Sequence, residues 1–431
     1  MSRGRAGLAL VAASAALLLF GARAPEAAVT PQVVAIEGAT IWTRPGKKLD
    51  NATIVLKDGK VMAVGTGAAV KIPAGAQRID ARGQIVTAGF VDAYTSLGLS
   101  EILLEPSSGD GALDDGPGDD QVHSAYRVVD GYNAQSVAIA IARTGGVTSV
   151  ISVPGGGLVG GAAAWMSLVE STRPGDAVLV APVAMQLTLG SGARSVANGS
   201  RGMAVERVRE LIDDARAFAR RKGDYERNAT RRFAASRLDL EALAPVVQGK
   251  LPLLVFADKA SDILSAIALG QEFGVRVLIG GGAEAWQVAA ELARAHVPVI
   301  YDPTRNLPNS FDALHVRDDA GKLLADAGVT LVISTMADGS VVRNLRQLCG
   351  VAVANGMTWD QALAAVTTAP VAAFASSPLR GTLSPGAPAD LVIWSADPFE
   401  LSSRPLHVLI RGVDLPLRTR QSLLLDRYRH L

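Results

Sequence analysis

The amino-acid sequence predicts an α/β protein, a TIM-type (β/α)8 barrel joined to a small composite β domain formed by both chain ends. Three observations carry this. Apolar, β-branched runs alternate with amphipathic helical patterns through the middle of the chain. β-Rich segments flank that middle on both sides. The 431 residues suit one large barrel with an accessory domain.

The elements follow in order. Residues 1–28 join Arg3 and Arg5, the apolar run 8–20 and the small residues Gly21, Ala22, Ala24, Ala27 and Ala28, the parts of a secretory signal peptide. The run is shorter than the roughly 20 residues that span a bilayer. Cleavage near Ala28 is favoured over cleavage after Ala24, which would leave Pro25 first. The expected protein is therefore periplasmic or secreted, with no membrane span in its mature chain. Losing Arg3, Arg5, Arg23 and Glu26 leaves 39 basic and 40 acidic residues, a net charge of −1. A chain so near neutrality has no electrostatic footprint for nucleic acid.

Residues 33–86 read as short strands, with 53–56 and 61–64 joined through an Asp58-Gly59 hairpin turn. A second β-rich stretch, 390–394 and 406–410, closes the chain. Neither piece buries a core alone, so the two are expected to pair. Between them, 147–153, 178–185, 251–256, 275–279, 297–301 and 329–334 are apolar runs, and 203–222, 260–273 and 283–296 carry helical patterns. Buried strands alternating with helices argue a parallel sheet, and about eight such units favour closure. The hydrophilic stretch 220–237 reads as a solvated helical insertion. These limits give a β domain over 29–87 and 377–431 around a barrel over 88–376.

At this point the residues resemble the amidohydrolase superfamily, and within it the imidazolonepropionase-like branch. Gly59-Lys60-Val61-Met62-Ala63-Val64-Gly65, Ile79-Asp80-Ala81-Arg82-Gly83 and Thr87-Ala88-Gly89-Phe90-Val91-Asp92-Ala93 resemble the family's approach to its barrel. Gly381-Thr382-Leu383-Ser384-Pro385-Gly386 through Val392 resembles its return to the β domain, preceded by a last barrel helix over 359–374. The resemblance implies a metal-dependent hydrolase fold and, for its members, hydrolysis of non-peptide C–N bonds.

The family's ligand positions are changed. Its first strand ends in His-x-His, because residues i and i+2 of a strand share a face and both imidazoles reach one metal at the barrel mouth. Here the two positions are Tyr94 and Ser96, poor ligands beside imidazole. The fifth-strand position falls on Phe256 or Asp258, and the sixth on Gly281 with Glu284 close behind. The eighth strand should give an Asp that binds metal and takes a proton from the attacking water. Met336 stands there, with Asp338 two residues on. The resemblance thus implies no family-type metal site. No cofactor is expected, and a divalent metal only through a non-standard ligand set.

Other signals are weaker. His123 and His315 follow barrel strands and face either the mouth or the loop surface, whereas His296 and His407 read as structural. Acidic residues on the first-strand loop, Glu101, Glu105, Asp110, Asp114, Asp115, Asp119 and Asp120, match no known calcium loop and read as a solvated lid. The glycine runs 155–157 and 160–161 suit either an anion or tight turns. Cys349 sits in the helical pattern Leu345, Leu348, Cys349, Ala352, as a buried thiol does, and alone it forms no intrachain disulfide.

Three functions follow. The first is a hydrolase of non-peptide C–N bonds with an altered site, using Asp258 and Asp338 as catalytic groups with Glu284 around a weakly held metal. The second is a non-catalytic barrel binding a small-molecule ligand at a mouth lined by Tyr94, Ser96, Glu284 and His315. The third is an envelope interaction protein. The sequence carries no signal for oligomeric state.

Overall fold

The computed structural model describes residues 33–429 apart from 103, 112–120, 195–196, 198 and 375–376. The signal-peptide region 1–28 and the loop carboxylates Asp114, Asp115, Asp119 and Asp120 lie outside the described residues.

The chain begins with β1 (Val34–Arg44), β2 (Lys47–Lys57), β3 (Lys60–Thr66), β4 (Gln77–Asp80) and β5 (Ile85–Ala88). Asp58 and Gly59 link β2 to β3 with φ values of 52° and 73°. Two successive positive φ angles make the tight turn whose twist matches antiparallel strands, as the Asp-Gly pair predicts. The far end of the chain supplies β14 (Leu391–Trp394), β15 (Pro405–Ile410) and β16 (Val413–Leu415). β14 pairs antiparallel with β5, Leu391 opposite Ala88 and Ile393 opposite Val86, and so joins the two chain ends in one sheet. Ile36, Ile41, Ile54, Leu56, Leu383, Leu391 and Leu409 form its core, all essentially inaccessible.

The second sheet is the barrel. It runs in sequence order through β6 (Phe90–Thr95), β7 (Val147–Ser152), β8 (Gly161–Ser167), β9 (Val178–Thr188), β10 (Leu253–Ala257), β11 (Val277–Gly281), β12 (Val299–Tyr301) and β13 (Leu331–Ile333). Alternation along each strand sorts the side chains. Val91, Ile151, Trp165, Leu254, Leu278, Ile300 and Val332 fill the interior. Their neighbours Leu253, Val255, Val277, Ile279, Val299, Leu331 and Ile333 face outward into the larger core under the helices. Trp394 of β14 packs on Phe90 of β6, ring centroids 5.1 Å apart, and donates its indole N–H to Thr87 at 2.9 Å. That contact seats the β domain on the barrel.

Two features differ from the expectation. β8 is antiparallel to both β7 and β9, so the barrel is not built from parallel strands alone. Its seven residues, Gly161-Ala-Ala-Ala-Trp-Met-Ser167, lie between short connections, and a parallel crossover needs a dozen residues or more. The stretch 220–237 is helical only over Lys222–Glu226, between helices Arg201–Arg220 and Arg237–Val247. Phe218, Tyr225 and Phe233 cluster there with centroids 5.2 to 6.2 Å apart, so the stretch is pinned by aromatic packing.

No helix among the described residues is long and apolar enough to cross a membrane.

Candidate functional site

In a barrel of this kind chemistry sits at the carboxyl ends of the strands. Tyr94, near the end of β6, turns into the barrel and meets Phe256 of β10 with centroids 6.2 Å apart. Its ring has room because β11 carries Gly280: a Cβ there would come within 2.9 Å of the Tyr94 Cε2. The phenol is hydrogen-bonded by the Gln186 side chain of β9, and burial pushes its pKa up to about 12, so it stays neutral. Gln186 is itself fixed, accepting from the Gly160 N–H at 2.8 Å and donating to Thr188 Oγ1 at 2.9 Å.

Asp258, directly after β10, is buried and engaged on two sides. Arg305 donates to its carboxylate at 2.8 Å, and the Ala283 N–H at 3.2 Å. The Arg305 guanidinium also lies over the Phe256 ring, 5.8 Å from its centroid, and its side chain keeps 31% of its exposure. Both charges act on the Tyr94 hydroxyl, so the four groups share one locality. Asp302, after β12, is raised in pKa by burial, which outweighs the hydrogen bonds from Thr304.

The remaining sequence candidates have other work. Glu284 is buried and accepts from the Ala260 N–H at 3.2 Å, the His315 N–H at 3.1 Å and His315 Nδ1 at 2.9 Å. Burial pushes its carboxyl up, but these bonds outweigh burial and hold it below the usual carboxylate range. His315 is mostly exposed, 65% for its side chain, and serves as a loop tie to Glu284. Asp338 is half-buried and caps its own turn, accepting from the Ser340 N–H at 2.8 Å and hydroxyl at 2.6 Å. Ser96 is half-buried, its N–H donated to the Ala337 carbonyl at 3.3 Å. Met336, where the resemblance implies the catalytic Asp, takes a φ of +49°. His123 is half-buried beside Gly157, with Nε2 enclosed and lacking a hydrogen-bond partner among the described residues. Cys349 is fully buried, and burial pushes its thiol well above its ordinary value.

Among the described residues, no group of three or more His, Cys, Asp or Glu is placed to hold a metal ion. Asp258, Asp338 and Glu284 therefore do not form the ligand set that an altered hydrolase site would need. The donors present at the mouth, a neutral phenol, an amide and a carboxylate already paired with arginine, do not fit a family-type zinc centre.

Arg305 and Gln186 are the residues that sequence reasoning missed. Gln186 stands one residue beyond the apolar run 178–185, a polar residue at the end of a buried strand. Arg305 follows the β12 run by four residues, a position that is at the mouth whatever the loop does.

Comparison with known proteins agrees with the fold. The family model described as the Amidohydrolase family matches residues 266–413. The chain superposes on the crystal structure of an amidohydrolase from Thermotoga maritima MSB8 with a TM-score of 0.80 and 25% identity, covering 89% of this chain and 100% of that one. The chain belongs to the amidohydrolase superfamily. It is also 24% identical over 375 residues to the amidohydrolase tasK of Hapsidospora irregularis, covering 80% of this chain. The match spans only 38% of that relative's length. Molinate hydrolase shares the fold, with a TM-score of 0.56, 17% identity and coverage of 90% and 95%. The barrel and the composite β domain are thus the architecture this amidohydrolase-superfamily chain shares with its solved relative.

Proposed function

We propose that the barrel mouth binds a small polar molecule and does not run the family's metal-activated water attack on C–N bonds. One observation carries this reading. The Tyr94 ring occupies the space opened by Gly280, and the nearby Asp258 is held by Arg305. An Arg-paired carboxylate is a poor metal ligand, and a phenol held neutral offers a hydrogen bond in place of a coordinate bond. What the locality does offer is a partly exposed guanidinium above an aromatic ring, which suits a carboxylate-bearing ligand with an apolar body.

Hydrolysis is the other reading, favoured by the names of relatives such as molinate hydrolase and the Thermotoga maritima amidohydrolase. The two separate in one experiment on protein purified without chelator. Metal content is measured by mass spectrometry, and a panel of aryl carboxylates and their amides is screened by melting temperature and by product formation. Binding without metal predicts a rise in melting temperature with a carboxylate that is recovered unchanged, and loss of that rise in Arg305→Ala. Stoichiometric zinc, manganese or iron together with amide turnover overturns the proposal. Export to the periplasm, read from residues 1–28, is part of the same proposal and is checked by cell fractionation.

A further inference from the structure

A second cavity lies away from the mouth, on the outer wall of the barrel where β8 meets β9. The cause is local. Only the four-residue helix Pro174–Ala177 connects these two strands, too short to cover them as the longer helices cover their neighbours. The outward side chains of β8 that face this gap, Ala162 and Ala164, are small and do not fill it from beneath. The result is a largely apolar cavity of ≈ 220 Å³, bounded by Ser124, Val128, Ala164, Met185, Ala242 and Pro245.

Its walls are held by backbone. The Ala162 N–H donates to the Tyr126 carbonyl at 2.8 Å, pinning the segment before Val128 along β8. The Ala125 N–H donates to Asp239 at 2.9 Å, pinning the same segment to helix Arg237–Val247. Just ahead of these ties sits Ser124. It is fully buried, and its hydroxyl has no hydrogen-bond partner among the described residues. Buried hydroxyls are normally paired, so an orphan lining an apolar cavity marks the place where a ligand's polar group belongs.

We propose that this chain carries a second binding site here, for a compact apolar molecule with one hydrogen-bonding group that pairs with Ser124. Size sets the class. An apolar cavity of roughly 150 Å³ accepts benzene, so this larger one suits a fused bicyclic ring bearing a single hydroxyl or N–H. The Ser124 hydroxyl can donate or accept, and the ring meets Met185, Val128 and the alanines.

The test uses the full chain with 2-naphthol and naphthalene as probes, followed by fluorescence titration. 2-Naphthol is expected to bind saturably at one site. Ala164→Leu fills the cavity and should weaken both probes at least about tenfold, a loss of about 1.4 kcal/mol. Ala242→Leu does the same from the opposite wall and serves if the first variant fails to fold. Ser124→Ala should weaken 2-naphthol about two- to tenfold and leave naphthalene unchanged. Absence of saturable binding, or binding indifferent to the leucine variants, overturns the site. Equal loss of both probes in Ser124→Ala overturns the role given to its hydroxyl.

Discussion

Gly280 lies against the ring of Tyr94, so close that a single added carbon would come within 2.9 Å of the ring edge. The resemblance implies a histidine where Tyr94 stands and another at Gly281, the residue after Gly280. The phenol at 94 and the bare backbone at Gly280 are sterically one feature. A residue of ordinary size on β11 would displace the ring, and a small residue at 94 would leave a void.

That coupling is measurable. Gly280→Ala should destabilise the protein by about 1–3 kcal/mol through overpacking. In a Tyr94→Ala background the cost should fall to less than half, giving a clear interaction term in urea unfolding. Equal costs in both backgrounds would mean that the ring moves freely and the steric argument fails.

Asp258 and Arg305 make an unequal pair, since the Asp side chain keeps 8% of its exposure and the Arg 31%. Arg305→Ala leaves a buried carboxylate with only the Ala283 N–H and should cost about 1–3 kcal/mol. Asp258→Asn should cost less, because the freed guanidinium can turn to water. The double variant should recover part of the Arg305→Ala loss. A larger cost for Asp258→Asn than for Arg305→Ala would contradict the burial seen here.

Asp92 closes the barrel seam. It is fully buried on β6 and accepts from the hydroxyl of Ser334 and from the N–H and hydroxyl of Thr335, just past β13. Burial raises its pKa to about 6, against hydrogen bonds that pull it down. The folded value lies above the unfolded one near 4, so the native state holds this proton more tightly. The resulting stability is present in full below about pH 4 and is lost as pH rises through about 6. At about 1.4 kcal/mol per pKa unit the effect is about 2–3 kcal/mol. Asp92→Asn cannot titrate, so wild-type stability should fall relative to this variant between pH 4 and pH 7. A constant difference across that range refutes the assignment.

Arg201 bridges Asp262 and Asp312, both largely buried, and so ties the start of helix Arg201–Arg220 to the start of helix Ala260–Phe273 and to the loop after β12. Asp312 also accepts from the Ser191 N–H at 2.7 Å, which fastens the loop after β9. Arg201→Ala would leave the two carboxylates without the cation that bridges them. A loss of about 2–4 kcal/mol is expected, with faster amide exchange in residues 302–319. If exchange there stays at the wild-type rate, the bridge is not what holds the mouth loops.

Periodicity alone determined much of this protein. Strands such as Leu253–Ala257 and Val277–Gly281 are buried on both faces and therefore read as unbroken apolar runs. The Asp58-Gly59 turn, the pairing of both chain ends and the superfamily likeness were legible for the same reason: each is written in neighbouring residues. The antiparallel β8 was not, because a seven-residue strand made mostly of small residues carries no direction of its own, and only the short connections on either side decide it. Nor was the site. Arg305 meets Asp258 across 47 residues of chain, and Tyr94 meets Gly280 across most of the barrel. Such contacts depend on strand order and stagger, which bring inward-facing positions of distant strands to one level. Sequence placed the mouth, and tertiary structure alone decided which side chains there touch, pair and fill space.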